Sequence, residues 1–459
     1  MNKYFKSFFS IPFALFLMFL FAVAIGLATF IENDYGTITA RALIFNSWWL
    51  ELIMVLLCAT FMYNIISYKL YVTKKLPVLF LHLSFILIIL GAGITRYIGD
   101  EGVMRIREGS FNNQFISSNT FLDFKIHNNQ IEYIGEKDLL LSSLSRNFFS
   151  IPIDFQDVSI VLEYIDFISD PIDIIIEDDS NGHDILEFII PSDKGGMQSR
   201  FLQYNEMKSI NSLDMSFGVN LNSDFNIFLE DSIFYFISIY DVQYMKMSNQ
   251  NSGVFEKGVK HKLSYKTLYT INSKNMVFKS FNKNAIVTQN SFSLKNDNSK
   301  LDLLKIKISV ANRDTIVNLY GASGIISPRT YLDFNGLFFS LAYGSKNFSL
   351  PFAIFLKDFE LERYPGSDSP SSFASEIEVI DGEERFDYRI FMNNVLNYKG
   401  FRFFQSSYDK DEKGTILSVN RDWWGTLVTY GGYLSLLLSI ISVILSRFSR
   451  FNVLSKKLN

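Results

Sequence analysis

The sequence predicts a polytopic membrane protein: four transmembrane α-helices, with a large extracytoplasmic mainly-β domain inserted between helices three and four. Three observations carry this. Four stretches reach the roughly 20 mostly apolar residues that a membrane crossing needs. The clusters of Lys and Arg beside those stretches fall on one side of the membrane in a single arrangement. The long segment between the third and fourth stretches alternates apolar and polar residues as strands do.

The first span runs from about Ile11 to Ile31. Its Ala22-Val-Ala24 triplet resembles a signal-peptide cleavage site, but the apolar run continues past it, so the segment reads as a retained anchor. The second span runs from about Trp48 to Ile66, with Glu51 near its start. The third runs from Pro77 to about Thr95 and the fourth from about Thr426 to Leu445. Lys3 and Lys6 precede span one, Lys69, Lys74 and Lys75 separate spans two and three, and Arg447, Arg450, Lys456 and Lys457 follow span four. The loop between spans one and two holds Glu32, Asp34 and only Arg41 as a cation. All three basic clusters share one side if both termini are cytoplasmic, which leaves Arg96 to Trp424 outside an inner membrane. The expected division is 1–95 for three spans, 96–425 for the outer domain, and 426–459 for the fourth span with a basic tail.

Alternation is plain in Leu301-Asp-Leu303-Leu-Lys305-Ile-Lys307-Ile-Ser309-Val and in Phe386-Asp-Tyr388-Arg-Ile390-Phe-Met392. Asn181-Gly182, Asn335-Gly336, Pro365-Gly366 and Asp381-Gly382 mark turns. The stretch from about Met247 to Asn298 is polar and rich in Asn, Ser and Lys, which suggests a loop-rich insertion or a seam between two β units.

Composition excludes several functions. A formal net charge of −4 offers no basic footprint for nucleic acid. Cys58 is the sole cysteine and lies in an apolar run, so the chain forms no internal disulfide and is no thiol–disulfide catalyst. There is no phosphate loop or dinucleotide fingerprint, and Gly321-Ala-Ser-Gly324 is no nucleophile elbow. His127, His183 and His261 are scattered among polar neighbours and read as solvated surface or loop residues. His183 follows Asp178-Asp-Ser-Asn-Gly, which lacks the spacing of a calcium loop.

His82 is the one imidazole inside any span. At 1.5 Å rise per residue it lies roughly 7–8 Å into the helix from Pro77, in the inner half of the bilayer. An imidazole in hydrocarbon is a functional-site hypothesis by default, and it is a favoured axial ligand of haem iron. It can equally bond a neighbouring carbonyl and serve helix packing. The residues alone leave both readings open.

Ser435, Ser439, Ser442 and Ser446 recur at steps of four, three and four, which places them on one face of span four. Small residues there let another helix approach closely, as does Gly91-Ala92-Gly93 at the end of span three. Trp48 and Trp49 stand where span two meets the interface, fit for an aromatic anchor or for contact with a bound planar group. Glu51 lies just inside, within reach of Arg41 or Arg96.

Several segments together resemble a known family. They are Ile31-Glu-Asn-Asp-Tyr-Gly-Thr37, Asn46-Ser-Trp-Trp49, Leu76-Pro-Val-Leu-Phe-Leu-His82-Leu-Ser-Phe85 and the run from Gly91 to Gly109. Near the end, Met392 to Asp409, Gly414 to Asn420 and the span after Asp422-Trp-Trp-Gly-Thr426 join them. In this order they resemble the ResB (CcsB) membrane protein of system II cytochrome c maturation, over the first hundred or so residues and the last seventy. The resemblance implies a CcsA-type membrane partner, with which the protein exports haem b and presents it for attachment to apocytochrome c. It implies thiol-reducing maturation proteins as further partners. It also tips His82 toward the haem-ligand reading, with the second axial histidine supplied by the partner. Asp422-Trp-Trp-Gly425 only superficially echoes the WWD segment of CcsA, and that role is not transferred. A separate CcsA-type subunit is expected, or the chain is one portion of a fusion. The rival readings are a membrane-anchored β scaffold or sensor that binds a protein and no haem, and an enzyme of the outer compartment.

Overall fold

The computed structural model describes residues 9–446, apart from 129, 157, 193–195, 219–222 and 296–299. The basic clusters Lys3/Lys6 and Arg447/Arg450/Lys456/Lys457 lie outside the described residues.

Four helices are long and apolar enough to cross a membrane: α1 (Ile11–Tyr35), α2 (Trp48–Ser67), α3 (Leu76–Ile98) and α4 (Trp423–Leu445). Each has a local reason to start or stop. Proline in the first turn of α1 and α3 removes an N–H that has no partner there anyway. Ser47 caps α2 by accepting from the Leu50 N–H, and Asp422 caps α4 by accepting from the Gly425 N–H. The Asp422 cap begins α4 three residues before Thr426, so Trp423, Trp424 and Gly425 are helical. Helix α3 runs on to Ile98. Gly36 ends α1 with φ +86°, a conformation that glycine adopts without strain. The Ala22-Val-Ala24 triplet is continuous helix, and Ala24 and Ala28 are buried against Ile44 and Leu50.

Between α3 and α4 the chain is mainly β, as expected. Strand Asp100–Arg107 leaves α3 and pairs along its whole length with Gly414–Arg421, the strand that enters α4, from Asp100 opposite Arg421 to Arg107 opposite Gly414. These two lie centrally in an eight-stranded sheet. Alternation does the work: Met104 and Ile106 face a core with Ile354, Val379, Phe403, Leu417 and Val419, while Glu101, Val103 and Arg105 face out. Arg105 and Arg107 hold the buried Asp409 carboxylate at 2.6 and 2.7 Å. A second core lies between two four-stranded sheets, where Leu122, Phe124 and Ile126 meet Ile160, Leu162, Leu304, Ile306 and Ile308.

Residues 171–292 form a compact unit of their own. A five-stranded and a seven-stranded sheet enclose a core of Phe188, Phe217, Phe225, Phe236, Tyr269 and Phe278. This corrects the loop-rich reading of Met247 to Asn298. That stretch contains the 18-residue strand Lys274–Ser291 and three shorter strands. Its polar look comes from turn residues and outward strand positions.

Candidate functional site

The sequence of α3 sets the position of His82. The His82 Nδ1 stands 2.8 Å from the Val78 carbonyl oxygen, one turn back on its own helix. Only a protonated Nδ1 satisfies that oxygen, so in the neutral ring the contact selects the tautomer whose Nε2 keeps its lone pair. Among the described residues Nε2 has no hydrogen-bond partner. The ring stands edge-on to Phe61 of α2, centroids 5.6 Å apart at 84°. Phe61 in turn stacks on Phe85, one turn along α3. A carbonyl thus holds one nitrogen and an aromatic wall limits ring rotation. A half-buried imidazole with one nitrogen engaged and the other without a partner suits a single axial bond to haem iron. No group of three or more His, Cys, Asp or Glu stands together as a metal site among the described residues.

The serine face of α4 is not brought to His82. Ser439 is buried, its hydroxyl donating to the Ser435 carbonyl. Ser435, Ser439 and Ser442 line a groove of about 560 Å³ with Leu76, Pro77 and Phe80 of α3. His82 is not among its lining residues. Ser446 is the C-cap of α4, its N–H donating to the Ser442 carbonyl. The close approach within the chain runs through Gly425, Gly432 and Ser439, seven residues apart, against Ser84 and Gly91 of α3. A Cβ on Gly91 would sit 2.1 Å from the Thr429 hydroxyl, and one on Gly432 would sit 2.8 Å from Ile88. A Cβ on Gly93 would meet nothing within 4 Å among the described residues. At the far end, Thr95 of α3 donates to the Asp422 carboxylate. Sequence reasoning found Gly91 but missed Gly425, Gly432 and the Thr95–Asp422 tie; the seven-residue spacing of small side chains was the available signal.

Trp48 and Trp49 part company. Trp48 is 74% exposed, as an interface anchor is, whereas Trp49 packs on the cluster of Ala24, Ala28, Ile44 and Leu50. Twelve residues separate Trp49 from Phe61, roughly 18 Å of helix, so neither tryptophan touches the His82 site. Of the two candidates for Glu51, Arg96 makes the ion pair, at 2.8 Å, and the Tyr97 hydroxyl also donates to Glu51. Arg41 instead reaches the Asn119 side-chain oxygen at 3.4 Å.

The outer histidines stand on strands rather than in loops. His127 ends Thr120–His127 and stacks on Phe338 at 5.2 Å. His183 opens His183–Pro191 and is exposed. His261 is half-buried beside Phe255 at 4.6 Å, with Nε2 3.0 Å from the Glu256 carbonyl. Aromatic neighbours gave His127 and His261 partners that a scan for polar neighbours overlooked. Before His183, the Asp178 carboxylate accepts from the Ser180 hydroxyl and from the Ser180 and Asn181 N–H groups. These bonds hold Asp178 below its ordinary range and make an Asx turn.

Known proteins align with this architecture. Residues 332–430, from the last strands of the β region into α4, match the ResB-like family. The chain is 30% identical over 440 residues, 95% of its length, to Protein NrfI of Wolinella succinogenes. It spans about 35% of that relative's length. The similarity therefore runs through the middle of the chain as well as its two ends. The chain is thus similar to the ResB-like family, by the family match over residues 332–430 and by its likeness to that relative.

Proposed function

We propose that this protein is a system II cytochrome c maturation factor that, with a CcsA-type membrane subunit, carries haem b across the membrane and presents it to apocytochrome c. One observation carries the reading: an imidazole inside a spanning helix whose Nδ1 meets the Val78 carbonyl, while Nε2 has no hydrogen-bond partner among the described residues. Haem is the substrate here. His82 supplies one axial bond and a histidine of the partner the other. The Val78 carbonyl occupies Nδ1 and leaves Nε2 for that bond, and Phe61 keeps the ring from turning away. The match of residues 332–430 to the ResB-like family supports the assignment. Lys69, Lys74 and Lys75 between α2 and α3 support an inner-membrane protein with both termini cytoplasmic and the β region outside.

The test is the haem-to-protein ratio and Soret spectrum of the complex carrying His82→Ala beside wild type. Depleted haem, with the protein still inserted, is expected. Unchanged haem and an unchanged spectrum would leave His82 as a packing residue and favour a β scaffold that binds no haem.

A further inference from the structure

The end of α1, the start of α2 and the end of α3 surround a second cavity, of about 550 Å³. One wall is apolar, built by Phe21, Ile25, Leu50 and Met54; the mouth is polar and includes Arg41 and Arg96. The cavity lies at the helix ends that meet the β region, the depth at which lipid headgroups stand.

The two arginines differ. Arg96 is engaged by Glu51 at 2.8 Å and by the carbonyls of Phe45 and Asn46 at 3.3 and 2.9 Å. Among the described residues Arg41 makes one long bond, to the neutral Asn119 amide. The acids near it are Glu101, an exposed lining residue, and Asp138, which feels its charge; neither is within ion-pair distance of Arg41. A guanidinium with donors to spare above an apolar wall has the chemistry for an anion carried on a hydrocarbon body.

We propose that this cavity binds an anionic phospholipid, its phosphate on Arg41 and the upper part of its chains along the Phe21, Ile25, Leu50 and Met54 wall. The lipid wedges between α1 and α3, where the chain itself leaves room. The site is separate from His82. Ala92, the cavity's deepest contact on α3, lies ten residues from His82, roughly 15 Å along the helix.

The experiment uses the full chain, purified in mild detergent and exchanged against phosphatidylcholine vesicles doped with phosphatidylglycerol. Native mass spectrometry and lipid extraction give the lipid retained per chain. Wild type is expected to keep phosphatidylglycerol in preference to phosphatidylcholine. Arg41→Gln should lower retention roughly fivefold, and Arg41→Lys should keep part of it. Ala92→Phe, which fills the cavity and leaves Arg41 in place, should lose the lipid as well. If Arg41→Gln fails to fold, the Ala92→Phe result and the lipid preference of wild type decide. Equal retention of both lipids by wild type overturns the proposal, as does unchanged retention in Ala92→Phe. A porphyrin that copurifies in place of the lipid and is lost with Arg41→Gln also overturns it. His82→Ala should keep the lipid, so failure here and failure of the haem reading are distinguishable.

Discussion

The helical and β regions of this chain treat histidine differently. In α3 the ring stands edge-on to Phe61 within an apolar span, and one nitrogen turns back to its own helix for a partner. In the β region His127 and His261 lean on aromatic neighbours at strand edges, and His183 is exposed to solvent. A polar ring at a strand end costs little, because water or a nearby carbonyl satisfies it. The same ring in hydrocarbon costs free energy unless it has work there. The environment, more than the residue type, separates the candidate ligand from the other three.

Histidine substitutions test that contrast most strongly. His82→Ala should abolish holocytochrome c formation, and His82→Gly should regain part of it with added imidazole. Alanine at His127, His183 or His261 should change the yield by less than about twofold, the scale of an ordinary surface substitution. A comparable loss at any of the three would erase the distinction.

The second test moves to the β region alone, where two carboxylates are perturbed in opposite senses. Burial pushes Asp302 up to about 7, and the Asp170 N–H that it accepts offsets only part of this. Glu187 feels burial too, but Lys279, Ser199 and Ser280 outweigh it and hold the group below its ordinary range. For Asp302 the folded state holds its proton more tightly. Its contribution is full below about pH 4 and is lost as pH rises to about 7, by about 4 kcal/mol. Asp302→Asn should remove this loss, seen as a flatter profile of unfolding midpoint against pH. For Glu187 the sign is reversed: its stabilisation is present at neutral pH and is lost in acid. Glu187→Gln should weaken the protein at pH 7 and leave it nearly unchanged once the wild-type group is protonated.

Gly91 and Gly93 sharpen the helical side. Gly91→Ala drives a methyl into Thr429 and should cost about 1–3 kcal/mol in a detergent unfolding titration. Gly93→Ala should cost nothing measurable and gain a little helix propensity. Equal effects would mean that α3 and α4 do not cross at Gly91. The smallest expected effect is at Trp48. Trp48→Ala should move stability by no more than about 0.5 kcal/mol and leave any Soret band unchanged, whereas Trp49→Ala opens a cavity among Ala24, Ala28 and Ile44.

The helices were legible because run length is a one-dimensional signal: the expected span ends fall within four residues of those observed. Strand character was legible through alternation at 301–310 and 386–392, and Asn335-Gly336 turns as expected, with φ +54° and +78°. Pairing was not legible, since nothing local tells Asp100 that Arg421 is its neighbour. The unit at 171–292 was obscured by its turns. Asn211-Ser212, Asp231-Ser232 and Asn272-Ser273 all take positive φ at both residues, a job usually announced by glycine. At the candidate site, the apolar run marked His82, but the tautomer came only with the backbone contact. The division between Arg96 and Arg41 likewise required three dimensions.

The ladder between Asp100–Arg107 and Gly414–Arg421 sets a schedule for synthesis. Its first paired residues, Asp100 and Arg421, stand 321 positions apart. At translation rates of about 5–20 residues per second, roughly 16 to 64 s pass between their emergence. Throughout that interval α3 is in the membrane without α4, and Gly91 faces lipid. The first strand has only its short pairing with Phe111–Ser117 to hold it. Arrest of the ribosome anywhere before Gly414 leaves an open sheet edge tethered to the bilayer, so the nascent chain is most exposed to proteolysis and mispairing just before this ladder closes.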